Sequence, residues 1–276
     1  MKISYLYGMK ESIGTRVTFL GTGTSQGVPM IGCSCSVCRS SDPKDNRLRS
    51  SAFIEYKSFK ILIDAGPDFR QQLLRANIMD LDAILLTHEH KDHTGGLDDV
   101  RAINYFGSKA LPIYCEERVL RSLEREYSYA FAENRYPGVP EFDIRVIDDS
   151  PFVIRKENGH KPDPFIEIIP LRVSHYKLPV LGFRIGDIAY ITDANRIEEE
   201  EYSKLKGVKI LVINTVRHER HISHFSLSEA VEVARKVGAG RTYLTHLSHQ
   251  IGCHKELSAE LPPGIEPAYD GLVAEI

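Results

Sequence analysis

Short apolar runs rich in β-branched residues recur along the chain. Val17–Leu20, Lys60–Asp64, Ala83–Thr87, Phe165–Pro170, Ile188–Thr192 and Ile210–Ile213 each read as a buried strand. Between them, Pro67–Ala76, Glu116–Phe131, Ile197–Leu205 and Ser226–Val237 carry helical patterns, and Ser226-Leu227-Ser228-Glu229 is a capping-box sequence. Strands and helices are interspersed from end to end, which predicts a layered α/β domain. No repeat or low-complexity tract is evident. The stretch from Tyr136 to Pro164, with Pro137, Pro140, Pro151 and Pro162, reads as an irregular excursion that could help cover a site. Residues 1–14 carry no strong pattern and read as a poorly ordered extension, leaving 15–276 as a single domain.

Composition narrows the class. With 276 residues, 42% of them hydrophobic, the chain can bury a sizeable core. The net charge of -3 and the absence of long basic runs give no broad electrostatic footprint for nucleic acid. Any anionic substrate must then be attracted locally. No stretch approaches the roughly 20 consecutive apolar residues of a membrane span. The start, Met1 to Tyr7, lacks a signal peptide's long apolar segment, so a cytoplasmic location is expected. The 5 cysteines make a poor disulfide framework, and Cys33, Cys35 and Cys38 crowd together in a way that suggests metal in a reducing compartment.

The chemistry concentrates in His88-Glu89-His90-Lys91-Asp92-His93, where the strand ending at Thr87 gives way to a polar turn. Imidazole suits zinc, iron or manganese, and carboxylate tolerates the harder members of that set. So short a loop cannot wrap all four candidate side chains around one ion without strain, but alternate residues can face two neighbouring ions. A solvated polar loop in which histidines merely cluster is the competing reading. Taken singly, His175 or His246 would more often be a packed or surface histidine than a ligand.

The pattern His88-x-His90-x-Asp92-His93 is the signature of the metallo-β-lactamase superfamily, which this chain resembles from about residue 16 to its C-terminus. Asp64, at a strand end in Ile61-Leu62-Ile63-Asp64-Ala65-Gly66, is similar to the aspartate that supports the metal loop in that superfamily. His175, Asp193 and His246 follow in the order expected for the remaining ligands. The resemblance implies a four-layer αβ/βα sandwich with two mixed sheets and the site at one sheet edge. It also implies one ion on His88, His90 and His175, a second on Asp92, His93 and His246, and Asp193 bridging. Manganese or zinc is expected there, with iron also suited, and a metal-bound hydroxide would be the nucleophile. Two divalent cations outweigh Asp92, Asp193 and a hydroxide, so the centre favours an anion such as a phosphodiester, although a carboxylate-bearing amide or thioester would also fit.

Two further features narrow the family. Cys33, Cys35 and Cys38 supply three soft ligands, and His249, three residues after His246, is the candidate fourth for a structural zinc. Cys115 and Cys253 have no such companions and read as packing residues. His224, in Arg217-His218-Glu219-Arg220-His221-Ile222-Ser223-His224, resembles the non-ligand histidine with which phosphodiesterases of this superfamily protonate the leaving alkoxide. His221 would assist it or bind phosphate, and Arg217 reads as a surface arginine. The glycine-rich Gly21 to Pro29 segment followed by the cysteine cluster looks like the phosphoribosyl 1,2-cyclic phosphate phosphodiesterases of phosphonate breakdown. It is no Walker loop, lacking Gly-Lys-Ser/Thr.

The expectation is therefore a phosphodiesterase with His224, Asp92 and His221 in the catalytic set. Its substrate would be a small diester such as a cyclic phosphate or cyclic nucleotide. No membrane partner and no larger nucleic acid are expected, and a homodimer is left open. The alternatives are the transfer-RNA 3′-end nuclease, whose glycine- and lysine-rich clamping arm is not seen, and a metal-binding scaffold without catalysis. The pyrroloquinoline-quinone-biosynthesis B protein shares the cysteine segment, and a lactamase or thioesterase would leave His224 without a purpose.

Overall fold

A computed structural model of the protein describes residues 14–156 and 162–276. The expected N-terminal extension, Gly14 apart, lies outside the described residues. The first part of the chain forms β1 (Arg16–Gly21), β2 (Ser51–Tyr56), β3 (Phe59–Ile63), β4 (Ala83–Leu85), β5 (Leu111–Cys115) and β6 (Phe142–Val146). The second forms β7 (Phe152–Arg155), β8 (Phe165–His175), β9 (Leu178–Ile185), β10 (Ile188–Ile191), β11 (Arg196–Ile197), β12 (Ile210–Asn214), β13 (Arg241–Thr245), β14 (Ile265–Pro267) and β15 (Val273–Glu275). The helices are α1 (Phe69–Arg75), α2 (Lys91–Thr94), α3 (Val100–Gly107), α4 (Glu117–Glu126), α5 (Ser128–Phe131), α6 (Leu227–Val237) and α7 (His254–Glu260).

The strands make two mixed sheets, in the orders β15-β1-β2-β3-β4-β5-β6 and β11-β8-β9-β10-β12-β13-β14, with β7 also paired to β8. Each sheet is antiparallel on one side and parallel on the other: β3, β4, β5 and β6 run parallel in the first, β10, β12, β13 and β14 in the second.

The alternation of side chains along a strand explains the layers. Ile61 and Ile63 point into a core shared by both sheets, where they join Phe183, Tyr190 and Val212. Leu62 points the other way, into a cluster with Phe69 of α1, Val100 of α3 and Val119 of α4. On the second sheet, Leu211 and Ile213 pack against Ala230 and Val233 of α6 and Leu257 of α7. Helices thus cover the outer face of each sheet, giving the four-layer αβ/βα metallo-β-lactamase sandwich. Because both faces of the central strands are buried, their sequences are continuously apolar.

Three expectations change in detail. The proline-rich 136–164 stretch contains β6 and β7, and its described residues extend the sheets without lining the metal cleft. Ile197–Leu205 is a 3₁₀ segment over Glu199–Leu205 after the short strand β11. The Glu116–Phe131 helix is interrupted at Tyr127, whose hydroxyl donates to Thr94 O at 2.8 Å, next to the metal loop.

Candidate metal centre

The first sheet builds one half of the site. Asp64 follows β3 with φ 62°, a left-handed conformation that Asp tolerates better than most residues. Its buried carboxylate accepts from the Thr87 amide at 2.9 Å, from Thr87 Oγ1 at 3.0 Å and from His93 Nδ1 at 2.7 Å. One carboxylate thereby holds the end of β4, which launches His88 and His90, and the helical turn α2, which carries Asp92 and His93. The two backbones touch directly, since a Cβ on Gly66 would lie 2.0 Å from Asp92 O. Only glycine allows that approach.

The second sheet supplies the other half. His175 ends β8 and donates through Nδ1 to Ser223 O at 2.8 Å. Asp193 follows β10 with φ 51°, and His246 follows β13 with φ 57°. Asp193 sits at the centre: its Oδ1 is 3.2 Å from His93 Nε2 and 3.2 Å from His246 Nδ1, and its Oδ2 is 3.2 Å from His224 Nε2 and 4.0 Å from His88 Nε2.

The crowding sets the protonation tendencies of the metal-free protein. Burial works against charge on Asp193, but His246 and His93 overcome it and hold the carboxyl well below its usual range. Burial would likewise depress His93, yet Asp193, Asp64 and Asp92 raise it well above an ordinary histidine. Burial depresses His88, reinforced by His93, and lowers His246 to about 4. Neutral imidazoles at His88 and His246 facing an ionised Asp193 match what a divalent cation requires of its ligands, whereas His93, held charged by its three carboxylate neighbours, would release a proton on binding one.

The donor atoms fit such a cation. The Nε2 atoms of His88 and His93 are buried without a hydrogen-bond partner, a costly arrangement unless something else satisfies them. Among the described residues, three donor groups converge: His88, His93 and Asp193; His90, His175 and Asp193; and Asp193, His224 and His246. Asp193 is common to all three. Asp92 joins none of them, although its Oδ2 is 3.3 Å from His93 Nε2. His224, expected outside the ligand series, is brought against Asp193 and His246.

A second donor set lies apart. Cys33, Cys35 and Cys38 converge with His249, whose Nδ1 is 3.3 Å from Cys33 Sγ and 3.4 Å from Cys35 Sγ. The Cys38 amide and His249 lower the Cys35 thiol to about 6, while burial raises Cys38 to about 11. Three sulfurs and one imidazole nitrogen match a structural zinc set. Leu247 pairs with Gly23 of the glycine-rich segment, so the residues after β13 send His246 to one centre and His249 to the other. Of the remaining thiols, Cys115 packs in the core, raised to about 12 by burial. Cys253 does not: it is partly exposed and occupies the N-cap of α7.

The family model for the beta-lactamase superfamily domain matches residues 60–247. A crystal structure of a diphosphatase from the PhnP family superposes with a TM-score of 0.85 at 38% identity, covering 95% of this chain and 97% of that one. This chain is a PhnP-family member of the metallo-β-lactamase superfamily. It is also 44% identical to an octanoyltransferase of Porphyromonas gingivalis over 264 residues, covering 95% of this chain but spanning only 51% of that relative's length. A ribonuclease Z of Methanopyrus kandleri is 26% identical over 85% of this chain and 94% of its own.

In this PhnP-family protein His90, Asp92, His175, Asp193, His224 and His246 border a polar cleft of about 310 Å³, which also receives Thr24, Ser25, Val216 and His221. His221 Nδ1 lies 3.2 Å from His224 Nδ1 and accepts from the Ser223 amide at 3.3 Å. Arg217 turns away, bonding to the carbonyls of Glu219 and Arg220 and to Gln250. Thr24 and Ser25 were detectable only as part of the glycine-rich segment after β1. Two supporting residues had no sequence signal: Ser50, whose Oγ is 3.1 Å from His246 Nδ1, and Arg47. Arg47 is buried and donates to Ser248 O at 2.9 Å and Gly252 O at 3.0 Å, fixing the segment that carries His249. Among the described residues no helix is long and apolar enough to cross a membrane.

Proposed function

We propose that this protein is a dinuclear metal-dependent phosphodiesterase acting on a small diester, with cyclic phosphates and cyclic nucleotides as the favoured substrates. The observation that carries this reading is His224, an additional histidine facing Asp193 at 3.2 Å across the cleft in which the other donors converge. His88, His90 and His175, and Asp92, His93 and His246, would hold the two ions, with Asp193 shared. Divalent ions there would activate water at neutral pH and stabilise negative charge developing on a phosphoryl oxygen.

The chain's own residues account for proton delivery. Ser223 Oγ, 3.1 Å from His224 Nδ1, and His221 Nδ1, 3.2 Å from the same atom, hold the His224 ring with its Nε2 facing Asp193 in the cleft. His224 would give its Nε2 proton to the departing oxygen. A departing alkoxide needs such a donor far more than a thiolate does, which favours a phosphoester over a thioester. The cleft, about 310 Å³, is at the small end of ligand sites and suits a compact diester better than an RNA end.

The similarity to a diphosphatase favours a second reading, cleavage of a phosphoanhydride. A panel of cyclic phosphodiesters, dinucleoside diphosphates and a carboxylic thioester, tested with protein reconstituted separately with manganese, zinc and iron, distinguishes them. Preferred turnover of the cyclic diesters is expected. Exclusive cleavage of the anhydride would replace the first reading with the second, and a fully metallated protein inert to every phosphate substrate would overturn both.

A further inference from the structure

Beyond the metal cleft, the turn between β8 and β9 and the segment leading to His224 border an open surface cavity of about 470 Å³, lined by His90, His175, Tyr176, Lys177, Leu178 and Ile222. His90 and His175 line both spaces, so the two adjoin at these side chains. Its apolar surface comes from Leu178, which packs against the second sheet's outer cluster, and from Tyr176 and Ile222, which are 52% and 65% exposed and pack in no core cluster. Exposed large apolar groups beside a polar reaction centre are the usual makings of a binding surface.

The walls are held in place deliberately. Tyr176 has φ 58°, a conformation in which an aromatic residue is an outlier and persists only when its surroundings impose it. Asn195 imposes it. Its Oδ1 accepts from the Tyr176 amide at 2.8 Å, its Nδ2 donates to Ile222 O at 3.0 Å, and its own amide donates to Ser174 O at 2.8 Å. One side chain therefore ties together the two segments that present Tyr176 and Ile222. Lys177 adds positive charge at the same rim, with Nζ 5.4 Å from the Tyr176 ring centroid.

We propose that this cavity is the subsite for a planar ring carried by the substrate, a nucleobase or similar aromatic group that lies against Tyr176 and Ile222 while its phosphate occupies the metal cleft. Calling the ring part of a substrate rests on the phosphodiesterase reading above. The cavity's preference for a ring-bearing phosphate does not.

Binding and turnover separate the two. With manganese-loaded protein, adenosine 5′-monophosphate is expected to bind about 10-fold more tightly than ribose 5-phosphate, the scale of a single base stack on an aromatic side chain. Tyr176→Ala and Ile222→Ala should each bring that ratio towards one, and Tyr176→Phe should preserve it. Turnover of 2′,3′-cyclic adenosine monophosphate relative to glycerol 1,2-cyclic phosphate should follow the same order through KM. Equal affinities for the two monophosphates in the wild type, or an equal loss for both in Tyr176→Ala, would overturn the subsite. A retained binding preference with no hydrolysis of either cyclic ester would instead leave the subsite standing and sink the phosphodiesterase reading.

Discussion

His93 donates through Nδ1 to Asp64 Oδ2 across 2.7 Å, and both side chains are fully buried. The bond fixes the ring's orientation and directs Nε2 towards Asp193 Oδ1, 3.2 Å away. Asp64→Asn keeps a residue that tolerates the left-handed backbone but removes the charge that orients His93. Metal affinity, measured by competition with a chelator, should fall by about 10–100-fold. An unchanged affinity would remove Asp64 from any role in supporting the metal loop.

Asp193 is shared by all three converging donor groups, so Asp193→Ala should lose catalytic metal and activity together. Metal analysis alongside turnover checks this. Near-normal turnover with two bound ions would sink the bridging assignment.

His224→Ala separates proton donation from metal binding. If His224 is the general acid, the variant keeps both catalytic ions while cleavage of a diester with an alkoxide leaving group slows by about 10²–10⁴-fold. Bis(p-nitrophenyl) phosphate should suffer much less, because p-nitrophenolate departs without a proton. Its proximity to Asp193 and His246 makes the alternative outcome, loss of an ion, a direct sign that His224 is a ligand.

The cysteine set gives a pH-dependent test. Cys35 is lowered to about 6 and Cys38 raised to about 11, so in metal-stripped protein at pH 7 Cys35 is mostly thiolate and Cys38 remains a thiol. Iodoacetamide should therefore label Cys35 ahead of Cys38, with the rate falling as the pH drops below about 6. Added zinc should protect both. Peptide mapping that showed no protection would argue against a shared metal.

Arg47 supplies a stability test. It is buried beside Asp45 at 3.2 Å, and its removal strips the guanidinium from the Gly252 carbonyl, from Ser248 O, which keeps the Ile251 amide, and from the Asp45 carboxylate, which keeps the His254 amide. Arg47→Ala should cost about 3–5 kcal/mol, in the range for breaking a buried ion pair. Thermal denaturation should show the loss together with weaker zinc retention. A change within 0.5 kcal/mol, the usual effect of a surface substitution, would show that the segment carrying His249 is held by other contacts.

The sequence displayed those parts of the fold whose side chains face a core on both sides. Ile61 to Ile63 and Ile210 to Ile213 are buried throughout and read as strands without ambiguity. Leu178–Ile185 escaped notice because Pro179, Gly182 and Arg184 interrupt its apolar pattern. Pro179 lies in the antiparallel pairing with Ser174, and Arg184 reaches out to the carbonyls of Lys204 and Lys206. The prolines between Tyr136 and Pro164 concealed β6 and β7 in the same way. In the site, the six-residue loop was legible because its donors are local. The contacts from Arg47 to Ser248, from Ser50 to His246 and from Asn195 to Ile222 join distant or irregular segments and leave no periodic trace.

Asp64, Asp193 and His246 all occupy the left-handed region, with φ of 62°, 51° and 57°. Glycine is the lower-energy backbone choice at each, so substitution there tends to stabilise a fold whose side chains are idle. A lineage released from the need for these carboxylates and this imidazole would drift towards glycine at all three. Lys57, Ser58, Asn77 and Ser108 hold the same conformation in turns away from the site, so it is the gathering of three such residues around one set of donors that marks side chains in use. A laboratory selection for heat resistance alone would be expected to relax Asp193 and His246 before Asp64, whose carboxylate also ties the end of β4 to α2.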